Sequence, residues 1–118
     1  MTDTESIELA RAYVALSNAH REDLILPLFD SDAVYRSSAV GEYRGAPAIM
    51  VMMRAFFTRY PDVYWRCANY RCIDQRVSFD FELRASDADG GVSLRRAGIE
   101  HIEFDARGLI KSLEVNAV

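Results

Sequence analysis

The sequence has no basic cluster, no long apolar run, and too few cysteines and histidines for a disulfide or metal framework. Its 14 Lys and Arg are outnumbered by 18 Asp and Glu, for a net charge of −4. That balance argues against a phosphate-binding surface and against nucleic acid as a partner. No apolar stretch approaches the roughly 20 residues that a bilayer requires, so no membrane span is expected. The opening MTDTESIELAR has no basic segment followed by an apolar one, which reads as a chain without a secretory leader and leads to the expectation of a soluble, cytoplasmic protein. The two cysteines, Cys67 and Cys72, lie five apart on one predicted strand, hence on opposite faces, and are expected to stay reduced. The two histidines, His20 and His101, have no Cys, His or carboxylate spacing around them, so neither a metal nor a cofactor is expected. His20 reads as a surface loop residue. Gly41 and Gly45 are loop glycines without the strand-glycine-helix context of a nucleotide cradle. Repeats, linkers and low-complexity tracts are likewise missing.

What remains is 118 residues, half of them hydrophobic and 27% charged, which fits a single domain over 1–118. Ile7, Ala10, Tyr13, Val14 and Ser17 recur at helical spacing, with Thr4 or Asp3 as the cap. A second, short helix is expected over 21–29, anchored by Leu24, Leu28 and Ile25, with Pro27 limiting its length. Asp30, Ser31 and Asp32 read as a turn before a strand at 33–37, and 41–45 as a loop. Pro47 opens a third helix carrying Ile49, Met50, Met53, Phe56 and Phe57. The period then changes to 2, and four strands are expected over 63–73, 77–85, 92–104 and 109–115, with turns at 74–75, 87–91 and 105–108. Val77, Phe79, Phe81 and Leu83 should face the helices, as should Leu109, Lys111, Leu113 and Val115. Helices followed by successive strands describe an α+β domain.

The most informative stretch is RRAGIEHIEF at 95–104. Alternation puts Gly98, Glu100, Ile102 and Phe104 on one face and Ala97, Ile99, His101 and Glu103 on the other. A carboxylate among apolar neighbours on an inward face loses hydration, and its charged form is disfavoured, so Glu100 is a candidate proton donor or shuttle. His101 points the opposite way and is expected to make an outer-sheet contact. Arg96 shares the parity of Glu100 near the rim, where it could bind an anionic substrate group or pair with Glu42 or Asp62; the salt bridge is the expectation.

The run LFDSDAVYRSSAVGEYRGAPAI at 28–49 resembles the signature of the NTF2-like superfamily, and the element order agrees over essentially the whole chain. Within it the chain is similar to the ketosteroid isomerase and SnoaL-like polyketide cyclase branch, through RAYVA at 11–15 and AGIEHIEF at 97–104. The resemblance implies a cone-shaped α+β fold: three N-terminal helices packed on a curved, mainly antiparallel sheet enclosing one pocket. It also implies that the residues matching Tyr13 and Glu100 donate hydrogen bonds to a carbonyl oxygen that becomes an oxyanion, a role for which the buried acid must stay protonated. The base of that family is an aspartate whose position is matched by Ser37, which cannot hold a proton taken from carbon at neutral pH. A further tyrosine of the family network matches Met53. The expected pocket is built from Tyr13, Leu16, Tyr35, Ser37, Met50, Met53, Phe57, Phe79, Phe81, Glu100, Ile102, Leu113 and Val115, with Trp65 open between lining and packing. The expected ligand is small and apolar, with no cofactor. The leading function is isomerisation or cyclisation of a small carbonyl compound; the rival is a non-catalytic ligand-binding or dimerisation domain. A homodimer through the outer sheet face is expected from the resemblance and from the mixed set Asn69, Arg71, Asp80, Glu82, Arg84, Ile99 and His101.

Overall fold

The structure, a computed structural model, describes residues 1–86 and 93–118. The expected turn at 87–91 and the strand start at Val92 lie outside the described residues. Helix α1 (Asp3–Asn18) leads to the one-turn α2 (Glu22–Ile25) and a 3-10 turn (Leu26–Leu28); β1 (Phe29–Ser37) and β2 (Gly41–Arg44) precede α3 (Ala46–Arg59). Strands β3 (Tyr64–Ile73), β4 (Arg76–Ala85), β5 (Leu94–Phe104) and β6 (Ile110–Ala117) follow. They form one six-stranded sheet in the order β2-β1-β6-β5-β4-β3, antiparallel except for the parallel pair β1 and β6. This is the α+β class expected, with a mixed sheet. Among the described residues no helix is long and apolar enough to cross a membrane.

Several local expectations are corrected. The cap of α1 is Thr2, whose hydroxyl accepts from Glu5 N at 3.1 Å while the Glu5 carboxylate accepts from Thr2 N, a reciprocal capping box one residue ahead of Asp3 and two ahead of Thr4. The second helix stops early, because Pro27 admits only a 3-10 turn there, and Phe29 to Asp32 join β1 instead of ending a helix and forming a turn. Its anchor is Ile25, fully buried, whereas Leu24 is exposed. The 41–45 loop is mostly strand: β2 pairs with β1, placing Tyr43 opposite Tyr35.

Two bulges explain the remaining differences. Between Ala68 and Arg71, β3 carries one residue more than β4, with Asn69 at φ 58°. That extra residue flips the alternation, so Cys67 and Cys72 share the inner face, opposite Phe81 and Val77, rather than lying on opposite faces. They remain free cysteines, since four residues of β4 separate their partners by about 13 Å. A second irregularity lies between Glu103 and Phe104, which pair with Ser112 and Ile110 and leave Lys111 as the extra residue. Ile110 therefore turns inward and Lys111 outward, the reverse of strict alternation, while Leu113 stays buried.

The core is the interior of the sheet: Val77, Phe79, Phe81, Leu83 and Ala85 of β4, Ile102 and Phe104 of β5, and Ile110 and Leu113 of β6, covered by Ala10 and Tyr13 of α1 and Ile49, Met50, Met53 and Phe57 of α3. On the outer face Asn69 donates to Asp80 at 2.6 Å, Arg71 pairs with Asp80 at 3.4 Å, and Ser78 bonds His101 at 2.6 Å. His20 is packed rather than free on the surface: its ring stacks on Phe57 at 4.4 Å and its Nε2 lies 3.0 Å from the Val63 carbonyl.

Gly98 is required by packing. A Cβ on it would run into the backbone of β6, at the Asn116 carbonyl oxygen and 2.9 Å from the Ala117 Cα. Backbone cannot rotate away as a side chain can. Gly98→Ala is therefore expected to destabilise the fold by about 1–3 kcal/mol, the usual range for overpacking, read as a lower midpoint in urea unfolding. An unchanged midpoint would show that β6 yields without cost.

Candidate functional site

Glu100 has Phe79 of β4 on one side and Val115 of β6 on the other, with Gly98 and Ile102 sharing its face along β5. It is 5% exposed, and among the described residues its carboxyl makes no hydrogen bond or ion pair. Burial alone pushes its pKa from 4.5 up to about 8. Between those two values the acid is mostly neutral where an ordinary glutamate is charged.

Tyr13 faces it from α1, on the buried stripe formed by Ser6, Ala10, Tyr13 and Ser17. Its ring meets Phe29 edge-on at 5.9 Å, and the Ser17 hydroxyl donates to its carbonyl oxygen at 2.9 Å. Burial first, and then the neighbouring Tyr35 and Glu100, raise the Tyr13 phenol well above its ordinary pKa, so it stays a neutral donor. The Tyr35 phenol is likewise pushed up by burial and by Glu100, with Arg96 opposing.

These groups open into a cavity between the sheet, α1 and α3, lined by Tyr13, Val14, Ser17, Tyr35, Ser37, Ala39, Val40, Met52, Met53, Phe56, Phe57, Trp65, Phe81, Leu83, Arg96, Glu100, Val115 and Ala117. Its volume is about 60 Å³, on a scale where one water needs about 10–15 Å³, which argues against a large enclosed polycycle. One wall is set by Asn18, whose side-chain amide donates to the Trp65 carbonyl at 2.9 Å and accepts from Trp65 N at 2.7 Å. This clamp ties edge strand β3 to the end of α1 and holds the Trp65 ring edge-on to Phe57 at 6.3 Å.

Of the residues expected here, Tyr13, Tyr35, Ser37, Met53, Phe57, Phe81, Glu100 and Val115 come together on the wall. Met50, Phe79, Ile102 and Leu113 are buried in the core behind it, and Leu16 is not on the wall. Trp65 is a lining residue. Ser37 sits opposite Val115, which sits opposite Glu100, so the two face the cavity across one intervening strand, about 10 Å apart at Cα. Its hydroxyl oxygen accepts from Ala39 N at 3.1 Å and Val40 N at 3.3 Å, capping the turn into β2.

The structure overturns the salt bridge expected for Arg96. Glu42 binds Arg36 at 2.7 Å and Arg44 at 3.2 Å, and Asp62 accepts from Ser86 N at 2.8 Å, which leaves Arg96 with no ion pair among the described residues. Sequence reasoning also missed Val14, Ser17, Ala39, Val40, Phe56, Leu83 and Ala117. For Leu83 the signal was present, because it shares the inward parity of Phe81. Among the described residues no three His, Cys, Asp or Glu side chains converge as a metal site would require.

The family model of the SnoaL-like domain matches residues 10–113. The chain belongs to the SnoaL-like domain family. The fold of this SnoaL-like domain recurs in an NTF2-like protein of unknown function from Exiguobacterium sp. 255-15, with 20% identity, 93% of this chain and 98% of that one covered, and a TM-score of 0.84. It is also similar to an LEH-like epoxide hydrolase of M. tuberculosis, at 16% identity, 98% and 84% coverage and a TM-score of 0.85. An epoxide hydrolase/cyclase-like enzyme in pyran ring formation in the polyether salinomycin superposes with a TM-score of 0.86 at 14% identity, covering 98% of this chain and 92% of that one. At such identities the likeness establishes the fold alone. No match to the sequence was found among curated proteins.

Proposed function

We propose that this SnoaL-like domain is a cofactor-free acid-base catalyst acting on a small, largely apolar carbonyl compound, by isomerisation or cyclisation. The observation that carries the proposal is Glu100: a carboxyl without a partner, buried on the wall of an apolar cavity that also holds the neutral phenol of Tyr13. A general base works best when its pKa lies near the working pH, and burial brings this one there. Tyr13 donates a hydrogen bond to the substrate carbonyl oxygen as negative charge develops on it. Glu100, in its ionised fraction, takes the proton from the adjacent carbon and returns it to another carbon or oxygen of the same enolate.

The test is α-proton exchange of phenylacetone in deuterium oxide, followed by proton NMR. The wild type is expected to accelerate exchange over buffer, with a rate that climbs with pH to about 8 and then levels as Glu100 becomes fully ionised. Glu100→Gln should lower the protein-dependent rate by about 10²- to 10⁴-fold, the usual contribution of a placed acid-base group. Equal exchange in buffer, wild type and variant would favour the second reading, a non-catalytic ligand-binding domain. The engagement of Ser37 in capping a turn, with no carboxylate in its place, is the feature on that side.

A further inference from the structure

Arg96 is the one cationic residue among the described residues that line the cavity, and this proton transfer does not use it. It is half-buried and faces inward on β5 beside Leu83 of β4, two inward positions from Glu100, so the two lie about 13 Å apart along the strand. Arg66, Arg84 and Arg95 also lack ion pairs among the described residues, but they are exposed. Arg96 instead gives up part of its hydration to an apolar cavity without gaining a counter-charge, an arrangement that an anion entering the cavity would complete. The guanidinium is close enough to the Tyr35 phenol to oppose the rise of its pKa, so the charge is felt inside the site.

We propose that Arg96 binds the carboxylate of the ligand, and that the site takes small one-ring or alicyclic monocarboxylates whose apolar body lies between Arg96 and the Tyr13/Glu100 end. The assignment rests on reading the cavity as a ligand site. The planar guanidinium fork matches a carboxylate in a way that a neutral amide or ester cannot reproduce. The apolar body has Trp65, Phe56 and Leu83 to lie against. Among the described lining residues the only carboxyl is Glu100, and burial keeps it uncharged at neutral pH, so it does not repel the anion. In chemical terms the substrate is then an oxo acid: the carboxylate anchors, and the ketone carbonyl at the far end reacts.

Phenylacetate and phenylacetamide, equal in shape and differing in charge, test this by titration at neutral pH, with amide proton-nitrogen NMR shifts of the lining residues locating the binding. The wild type is expected to bind phenylacetate roughly 10- to 100-fold more tightly than phenylacetamide, the scale of one charged hydrogen-bonded pair. Arg96→Gln should abolish that preference and leave phenylacetamide unchanged, while Arg96→Lys should keep part of it. If phenylacetamide shifts the lining residues and phenylacetate binds no better, the anion assignment is overturned and the cavity remains a ligand site. An equal weakening of both probes by Arg96→Gln also overturns it, because a structural role would do that. Should neither probe shift the lining residues at millimolar concentration, the ligand-site reading falls as well. The wild-type comparison decides the matter alone if Arg96→Gln fails to fold.

Discussion

Ser37→Asp is expected to raise the protein's turnover of 3-cyclohexen-1-one to its conjugated isomer by about 10²-fold and at most 10⁴-fold, because the new carboxylate takes over as the base and leaves neutral Glu100 as a second donor beside Tyr13. Ser37 lies on the cavity wall in the cross-strand row Ser37, Val115, Glu100. A carboxylate there would face the acid across a gap of about 10 Å between Cα atoms, room for one small substrate between base and donors. A serine hydroxyl with no adjacent histidine cannot abstract the proton between a carbonyl and a double bond. The lower end of the range is favoured by the turn: the amides of Ala39 and Val40 that now bond the Ser37 hydroxyl would also bond the new carboxylate, holding its pKa down and weakening it as a base. Tyr13→Phe in the Ser37→Asp background should remove most of the gain. No gain in a folded Ser37→Asp protein that still binds the ketone would mean that Tyr13 and Glu100 do not polarise a carbonyl.

The second large effect is on stability. Glu100 titrates near 4.5 in the unfolded chain and near 8 in the folded one, so the folded state binds the extra proton between those values. The stabilisation is therefore complete below about pH 4.5 and lost as pH rises through about 8, a fall on the order of 4 kcal/mol across that window. His101 acts with the opposite sign: burial and then Arg76 lower its pKa, so its contribution grows as pH rises through its ordinary value. The difference between wild type and Glu100→Gln isolates the glutamate. Urea unfolding from pH 5 to 9 is expected to show wild-type stability falling by about that amount relative to the variant, which should be the more stable of the two at pH 9. Parallel profiles would mean that Glu100 ionises without penalty in the folded state.

The reach of the sequence can be read at particular residues. Strands β4 and β5 follow the expected alternation throughout their described lengths, because each is packed on one face and open on the other; the inward placement of Glu100 followed directly. Alternation failed where a strand carried an extra residue, at Asn69 in β3 and Lys111 in β6, since a bulge is a property of two paired strands and leaves no mark on either alone. β2 was read as a loop for a related reason: four residues that open on Gly41 and are followed by Gly45 become a strand only by pairing with β1. The site was legible in its central pair. Met50, Phe79, Ile102 and Leu113 share parity or helical face with lining residues, and only the depth of packing assigns them to the core. Arg96 was misjudged because the carboxylates nearest in expectation were already bound elsewhere, by Arg36, Arg44 and the Ser86 amide.

The central claim is that Glu100 is a buried, unpaired acid held neutral by the apolar cavity. Its most direct test is a carbon NMR titration of the Glu100 side-chain carboxyl, assigned by comparison with Glu100→Gln. A midpoint near 8 is the result predicted by its burial between Phe79 and Val115; a midpoint near 4, the value of a solvated glutamate, would contradict it.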